Sequence, residues 1–364
     1  MRRVQLKIED IAFGGKGVAR ESGKAVFVPF TIDGESVSAE IVREKKKFAE
    51  AEVLEVLQPS PHRVAPECPY FGRCGGCSYQ HIDYEHQLAI KWRQARDVLQ
   101  RIGKLKNVPM RPIISSAASY AYRNRITVHV EERVIGFFRR DSHRLIDVER
   151  CPIAMDAVNE ELTKLRASRP REGHYTLRAD SAALRIFAQA NDVVATALRD
   201  LVTGLIPGDQ QLLIDAYCGA GFFAKTLREK FARVIGIDWD RFAIQEAERD
   251  ATDKETYIAG DVDLILADLQ AGAIGSTAPA FPIAGGHTTF IADPPAIGLS
   301  ETTRRAIIDM APKTFIYVSC NPATLARDLQ KFMTGFTIES VTPLDMFPQT
   351  AEVEVVVHLQ AQTK

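Results

Sequence analysis

The sequence predicts a three-part chain: a small β-barrel, an α+β middle part built around four cysteines, and a doubly wound α/β carboxyl-terminal part. Three observations carry that prediction. Short alternating strands punctuated by glycine fill the first 58 residues, a cysteine trio at 68–77 has its fourth member at 151, and strands alternate with helices from about residue 186. The 364 residues suit two or three domains, and 46% hydrophobic content is ample for ordinary cores. The domains are expected at 1–58, 59–185 and 186–364.

Val4–Ile8 alternates apolar and polar residues, Phe13–Gly17 is a tight loop, Ala25–Val28 reads as a buried strand, and Asp33-Gly34 turns the chain into Ser36–Val42. So many short strands in so few residues point to a five-stranded barrel of the oligonucleotide-binding kind. Lys45, Lys46 and Lys47 then form a basic hairpin tip, a candidate nucleic-acid contact that also fits a solvated turn.

Pro59–Pro66 is a stiff linker into the cysteine segment. Cys68, Cys74, Cys77 and Cys151 could hold an iron–sulphur cube or a structural zinc. A local trio with a distant fourth cysteine followed by Pro152 favours the [4Fe–4S] cluster, because zinc knuckles usually come as two Cys-x-x-Cys pairs. Gly75 and Gly76 let the backbone wrap tightly around a bound group. Leu88, Trp92, Ala95, Val98, Leu99 and Ile102 recur at helical spacing from Tyr84 to Gly103, in a helix expected to pack on the carboxyl-terminal domain. Its polar face carries Lys91, Arg93, Arg96 and Arg101. Basic residues predominate from there to Cys151, and Tyr122, Arg123 and Arg125 interleave ring and guanidinium as RNA contacts do. The same aromatics fit a sheet core.

In the α/β part, strands are expected at Gln211–Asp215, Arg233–Asp238, Thr289–Asp293 and Thr314–Ser319, and helices at Ala224–Phe231 and Phe242–Asp250. Ala271–Gly286, poor in charge, reads as a loop insertion. Asp215–Gly221 after the first strand and Asp238 closing the second make a Rossmann-like nucleotide layout, with glycines for close backbone approach and an acid for ribose hydroxyls. Asp293-Pro294-Pro295 and Ser319-Cys320-Asn321-Pro322 sit at strand ends, where open α/β sheets place ligands, and Cys320 stands out as a presented thiol.

Six cysteines without a disulfide framework, no signal-like apolar run and no membrane span predict a reduced, cytoplasmic protein. The net charge of −1 does not announce a nucleic-acid partner, which has to be sought locally.

These motifs together resemble the RNA uracil-5-methyltransferases that carry an amino-terminal TRAM barrel and an iron–sulphur cluster, the branch acting chiefly on large-subunit ribosomal RNA. The resemblance spans the chain: Phe13–Gly17 and Val26–Pro29, Cys68–Cys77, Tyr122–Arg125, Cys151-Pro152, Ala188–Asn191, Asp215–Gly221, Asp293–Pro295, Ser319–Pro322 and Phe347–Glu354. It implies S-adenosylmethionine as cofactor beside the [4Fe–4S] cluster. It makes Cys320 the nucleophile on uracil carbon 6 and Glu354 the base that removes the carbon-5 proton. Gln189, Tyr217, Gly219, Gly221, Asp238, Asp261 and Asp293 fall on cofactor positions, with Asp293 also near the target base. Phe222, Ala296 and Glu352 depart from the family pattern, which has a polar residue, an Arg and a His there. Glu352 and Glu354, two apart on a strand, share a face, so spacing alone does not choose the base. Expected partners are RNA, ribosomal first and transfer RNA second, with no membrane, the chain acting as a monomer. Competing classes are a cytosine-5 RNA methyltransferase, a non-catalytic RNA-binding protein and a nicotinamide oxidoreductase.

Overall fold

The computed structural model describes residues 2–180, 189–208, 210–272 and 288–362. The expected insertion at 271–286, beyond Gly272, and the expected boundary at 185/186 with Ala188 lie outside the described residues.

β1 (Arg2–Ile11), β2 (Lys16–Glu21), β3 (Lys24–Pro29), β4 (Ser36–Glu44) and β5 (Phe48–Gln58) close a barrel in the order β1-β2-β3-β5-β4. Alternation sets its inside: Leu6, Ile8, Val26, Val28, Val37 and Ala39 are buried together, while the residues between them face outward.

After the cysteine segment comes α1 (Tyr84–Arg101), capped by Asp83, whose carboxylate accepts from the His86 amide at 2.8 Å. Gly103 closes it for a steric reason, since a Cβ there would lie 2.6 Å from the Leu99 carbonyl oxygen and 3.1 Å from that of Ala326. The antiparallel sheet of the middle part runs in the order β8-β7-β6-β9, from β6 (Arg125–Glu131), β7 (Val134–Phe138), β8 (Leu145–Asp147) and β9 (Gly173–Arg178). Val158 and Leu162 of α2 (Asp156–Ala167) pack in one core with Ile126, Val128 and Leu177 of that sheet.

The carboxyl-terminal part holds α3 (Asp192–Leu205), β10 (Gln210–Ala216), α4 (Ala224–Leu227), β11 (Phe231–Asp238), α5 (Arg241–Glu248), β12 (Glu255–Ala259) and α6 (Val262–Gln270). It continues with β13 (Thr288–Ala292), α7 (Glu301–Met310), β14 (Thr314–Ser319), α8 (Pro322–Phe332), β15 (Phe336–Leu344) and β16 (Glu354–Ala361). Its seven strands run β12-β11-β10-β13-β14-β16-β15. The first five are parallel, but β16 is antiparallel to both β14 and β15, so the sheet is mixed rather than purely parallel. The helix expected at Ala224–Phe231 stops at Leu227 and passes through a short 3-10 turn, because Phe231 is needed as a buried residue opening β11.

One sheet face is covered by α3, α4 and α5, the other by α6, α7, α8 and α1. The strand order reverses between β10 and β13, which opens a crevice at their carboxyl ends.

Candidate active site and cysteine cavity

At the end of β10 the chain turns sharply: Tyr217, Gly219 and Gly221 have φ of 64°, 54° and 87°. A Cβ on Gly219 would meet nothing within 4 Å, so open space lies against this backbone. The Gly219 amide donates to Asp238 Oδ2 at 2.8 Å and the Asp240 amide to Oδ1 at 2.9 Å, fixing that carboxylate at the end of β11. Asp261 follows β12 and caps α6, accepting from the Asp263 amide at 2.8 Å. Tyr217, Asp238 and Asp261 thus stand at the ends of three neighbouring strands. Gln189, buried, donates its side-chain amide to Asp293 Oδ2 at 3.4 Å, and its carbonyl accepts from the Asn124 side chain of the middle part at 2.8 Å.

Cys320 follows β14. Asn321 caps α8 from behind it, accepting from the Ala323 amide at 3.0 Å, and Pro322 opens the helix, so the thiol sits at a rigid strand–helix corner. Ser319 pairs with Val355 across antiparallel β14 and β16, and one step further in that register Cys320 comes opposite Glu354. Glu354 is 3% exposed and its Oε1 has no hydrogen-bond partner among the described residues. Burial drives its carboxyl well above the ordinary range, with the charges of Asp293 and Glu352 adding to the effect. Asp293 is pushed up to about 7 by burial, against the pull of the Gln189 amide. Burial, then the Glu354 and Asp293 charges, raise the Cys320 thiol to about 12. A thiol and two carboxyls at the ends of β14, β16 and β13 therefore resist ionising together, and a cation brought among them favours their charged forms.

Glu352 does not share this environment. The chain is not yet a strand at 352, and Glu352 is exposed while Glu354 is buried, so burial separates two carboxylates that spacing leaves equal. Phe222 is half-buried, its ring edge-on to Phe223 and 5.6 Å from the Arg199 guanidinium. The loop carrying Ala296 is held from α8, where Thr324 Oγ1 donates to the Ala296 carbonyl at 3.0 Å and Arg327 to the Ile297 carbonyl at 2.9 Å.

Cys68, Cys74, Cys77 and Cys151 are free thiols and all line one cavity of about 530 Å³, together with Arg123, Arg125, Arg150 and Arg178. Burial raises all four thiols, Cys77 to about 12 and Cys151 to about 11. The Gly76 amide points at Cys74 Sγ at 3.5 Å, and the backbone of Cys151 is held by Asn159, which accepts from its amide at 2.8 Å and donates to its carbonyl at 3.1 Å. Among the described residues no three His, Cys, Asp or Glu side chains converge closely enough to hold a single metal ion.

The other expected contacts separate. Lys45, Lys46 and Lys47 are exposed at the tip joining β4 to β5. Tyr122 is 6% exposed and its hydroxyl donates to the Pro348 carbonyl at 2.9 Å, so its ring belongs to the core and offers no face to a base. Arg123 lies 6.0 Å from the Phe347 ring. Lys91, expected on a solvated helix face, is fully buried against Asp345 at 2.5 Å. Gln87, Lys91 and Gln94 repeat at helical spacing along the buried side of α1; that polar stripe is the available signal, but such a stripe ordinarily means water.

Residues 2–54 match the TRAM domain and residues 286–362 match the family described as tRNA (Uracil-5-)-methyltransferase. An uncharacterized RNA methyltransferase of Bacillus cereus is 30% identical over 97% of this chain and 95% of its own length. Another from Bdellovibrio bacteriovorus is 31% identical over 99% and 96%. The chain belongs to the TRAM-containing RNA uracil-5-methyltransferase family.

This RNA uracil-5-methyltransferase also shares its fold with the Pyrococcus abyssi tRNA (uracil-54, C5)-methyltransferase, solved in complex with S-adenosyl-L-homocysteine. The TM-score is 0.71 at 22% identity, covering 98% of this chain and 100% of that one. Its barrel is the TRAM domain, and its carboxyl-terminal domain has the S-adenosylmethionine-dependent methyltransferase fold. No described helix of the methyltransferase is long and apolar enough to cross a membrane.

Proposed function

We propose that this enzyme methylates carbon 5 of a uridine in structured RNA, 23S ribosomal RNA in the first place, through a covalent adduct between Cys320 and carbon 6. The pairing of β14 with β16, which sets Cys320 opposite the buried, unpartnered carboxylate of Glu354 and beside Asp293, is the observation that supports it. S-adenosylmethionine supplies the methyl group. Its binding falls to Gln189, Tyr217, Gly219, Gly221, Asp238 and Asp261, grouped around the open space against Gly219 at the end of β10, with Asp293 between cofactor and base.

Cys320 Sγ adds to carbon 6, and the electron pair displaced from the 5,6 double bond makes carbon 5 nucleophilic. Once carbon 5 carries the methyl group, Glu354 takes its remaining proton, the double bond reforms and the carbon–sulphur bond breaks, returning the thiolate. A carboxyl with raised proton affinity, held out of water, suits that abstraction. The target base has to leave its stack to reach Cys320, at a cost of a few kcal/mol that favours loops.

Cys68, Cys74, Cys77 and Cys151 are assigned to a [4Fe–4S] cluster. Their shared cavity and ring of arginines suit an anionic group larger than one ion, whose thiolate ligands stand further apart than those of zinc, with its bonds of about 2.3 Å. The cluster supplies a cross-link, since methyl transfer to carbon 5 needs no electrons. Residues 1–58 and 59–185 are then the RNA-recognition domains and 186–364 the methyltransferase domain, with Lys45, Lys46, Lys47, Arg123 and Arg125 toward RNA.

Ribosomal RNA is preferred on the cysteine and TRAM motifs taken together, and transfer RNA is the alternative. Mass-spectrometric mapping of 5-methyluridine in cellular RNA with and without the protein tests this. A site lost from 23S RNA is expected; loss confined to transfer RNA, or loss of a cytosine methylation, would overturn it.

A further inference from the structure

The segment that leads into Glu354 is gripped at three consecutive carbonyls by the middle part of the chain. The Phe347 carbonyl accepts from Lys91 Nζ at 2.9 Å, that of Pro348 from the Tyr122 hydroxyl at 2.9 Å, and that of Gln349 from the amides of Ser78 and Tyr79 at 3.1 and 3.0 Å. Gln349 is buried, with φ of 68°, a conformation that a non-glycine residue keeps only when its surroundings impose it. Gln87 imposes it. Its Oε1 accepts from the Gln349 amide at 3.0 Å, while its Nε2 donates to Gln349 Oε1 at 3.0 Å and to the Ile82 carbonyl at 2.8 Å. Among the described residues no methyltransferase-domain strand includes residues 345–353: β15 ends at Leu344 and β16 begins at Glu354.

We infer that Gln87, Lys91 and Tyr122 are positioning residues for Glu354: the middle domain fixes the Phe347–Gln349 segment so that the carboxylate faces Cys320 when the carbon-5 proton is removed. This rests on the proposed role of Glu354 as base. It gives the middle domain a part in the last chemical step, separate from RNA recognition, and ties that step to the cysteine segment, since Ser78 follows Cys77.

The consequence is a selective defect. Gln87→Met keeps the shape of the side chain and removes its amide, and Tyr122→Phe removes one hydroxyl and disturbs packing least. In the full-length enzyme with an RNA carrying the target uridine, both should keep KM for RNA and S-adenosylmethionine within about twofold. Both should also form the adduct at the wild-type rate, yet lose kcat, about tenfold or more for Gln87→Met and severalfold for Tyr122→Phe. The methylated protein–RNA adduct should then persist on denaturing gels. Wild-type turnover in the folded variants overturns the inference, and so does a loss of adduct formation equal to the loss of turnover, the mark of general unfolding. Glu354→Gln run alongside separates the two ideas. If it turns over normally the assignment of the base falls, and if it stalls while both middle-domain variants turn over normally only the positioning role falls.

Discussion

Where β13 and β14 end and antiparallel β16 begins, the molecule gathers acids: Asp293 and Glu354 beside the Cys320 thiol, with Asp215 of neighbouring β10, all with raised proton affinity. The cysteine cavity has the opposite surroundings, four thiols among Arg123, Arg125, Arg150 and Arg178. The first site suits a cation and, in the proposed mechanism, a proton transfer; the second suits anionic cargo, whether thiolate-bound cluster or RNA phosphate. A net charge of −1 hides both, which is why composition says so little about this chain and local grouping says so much.

The sharpest way to break the contrast is at the acidic pocket. Cys320→Ala should abolish methylation while leaving S-adenosylmethionine affinity, measured by calorimetry, within about twofold, because the thiol acts on the base. Retained turnover would remove Cys320 as nucleophile. At the basic pocket the expected loss is of another kind. Cys151→Ala should lower RNA affinity and thermal stability far more than cofactor affinity, and anaerobically purified wild type should carry about four irons per chain. Stoichiometric zinc without iron, or RNA binding untouched in the variant, would contradict the cluster assignment.

A smaller effect probes the acids themselves. Burial, with the charges of Asp293 and Asp238, pushes the Asp215 carboxyl up to about 8. A pKa raised on folding means that the favourable contribution is complete below about pH 4, the unfolded value, and is lost as pH climbs through 8. Asp215→Asn keeps an oxygen to accept from the Ala224 amide, a contact of 2.8 Å in the wild type. It should therefore raise the melting temperature of the cofactor-free protein by roughly 5 °C at pH 9 and leave it nearly unchanged at pH 4. An equal effect at both pH values would show that Asp215 does not titrate in this range. The smallest effect belongs to the barrel. Replacing Lys45, Lys46 and Lys47 by Ala should weaken RNA binding and flatten its salt dependence by up to about one power of salt for each phosphate no longer neutralised. An unchanged slope would make the tip a solvated turn.

What can be read from the sequence follows the range of the interaction. The Tyr217–Gly221 turn and Asp238 are legible because a strand, a glycine turn and an acid about twenty residues on form one local unit. The antiparallel return of β16 is not, since Val355, Val356 and Val357 are buried without a period. The pairing of Cys320 with Glu354 is legible only through family resemblance. Lys91 misleads because its partners, Asp345 and Phe347, lie on the far side of the chain, so nothing near Lys91 distinguishes a buried ammonium from a solvated one.

Central to the proposed mechanism is that Cys320, just after β14, and Glu354, at the start of neighbouring β16, act on one base. The decisive measurement is peptide mass spectrometry of Glu354→Gln after incubation with target RNA and S-adenosylmethionine. A methylated uracil covalently attached to the peptide containing Cys320, stable on denaturing gels, is the predicted result. Normal multiple turnover, or an adduct on any other residue, would contradict it.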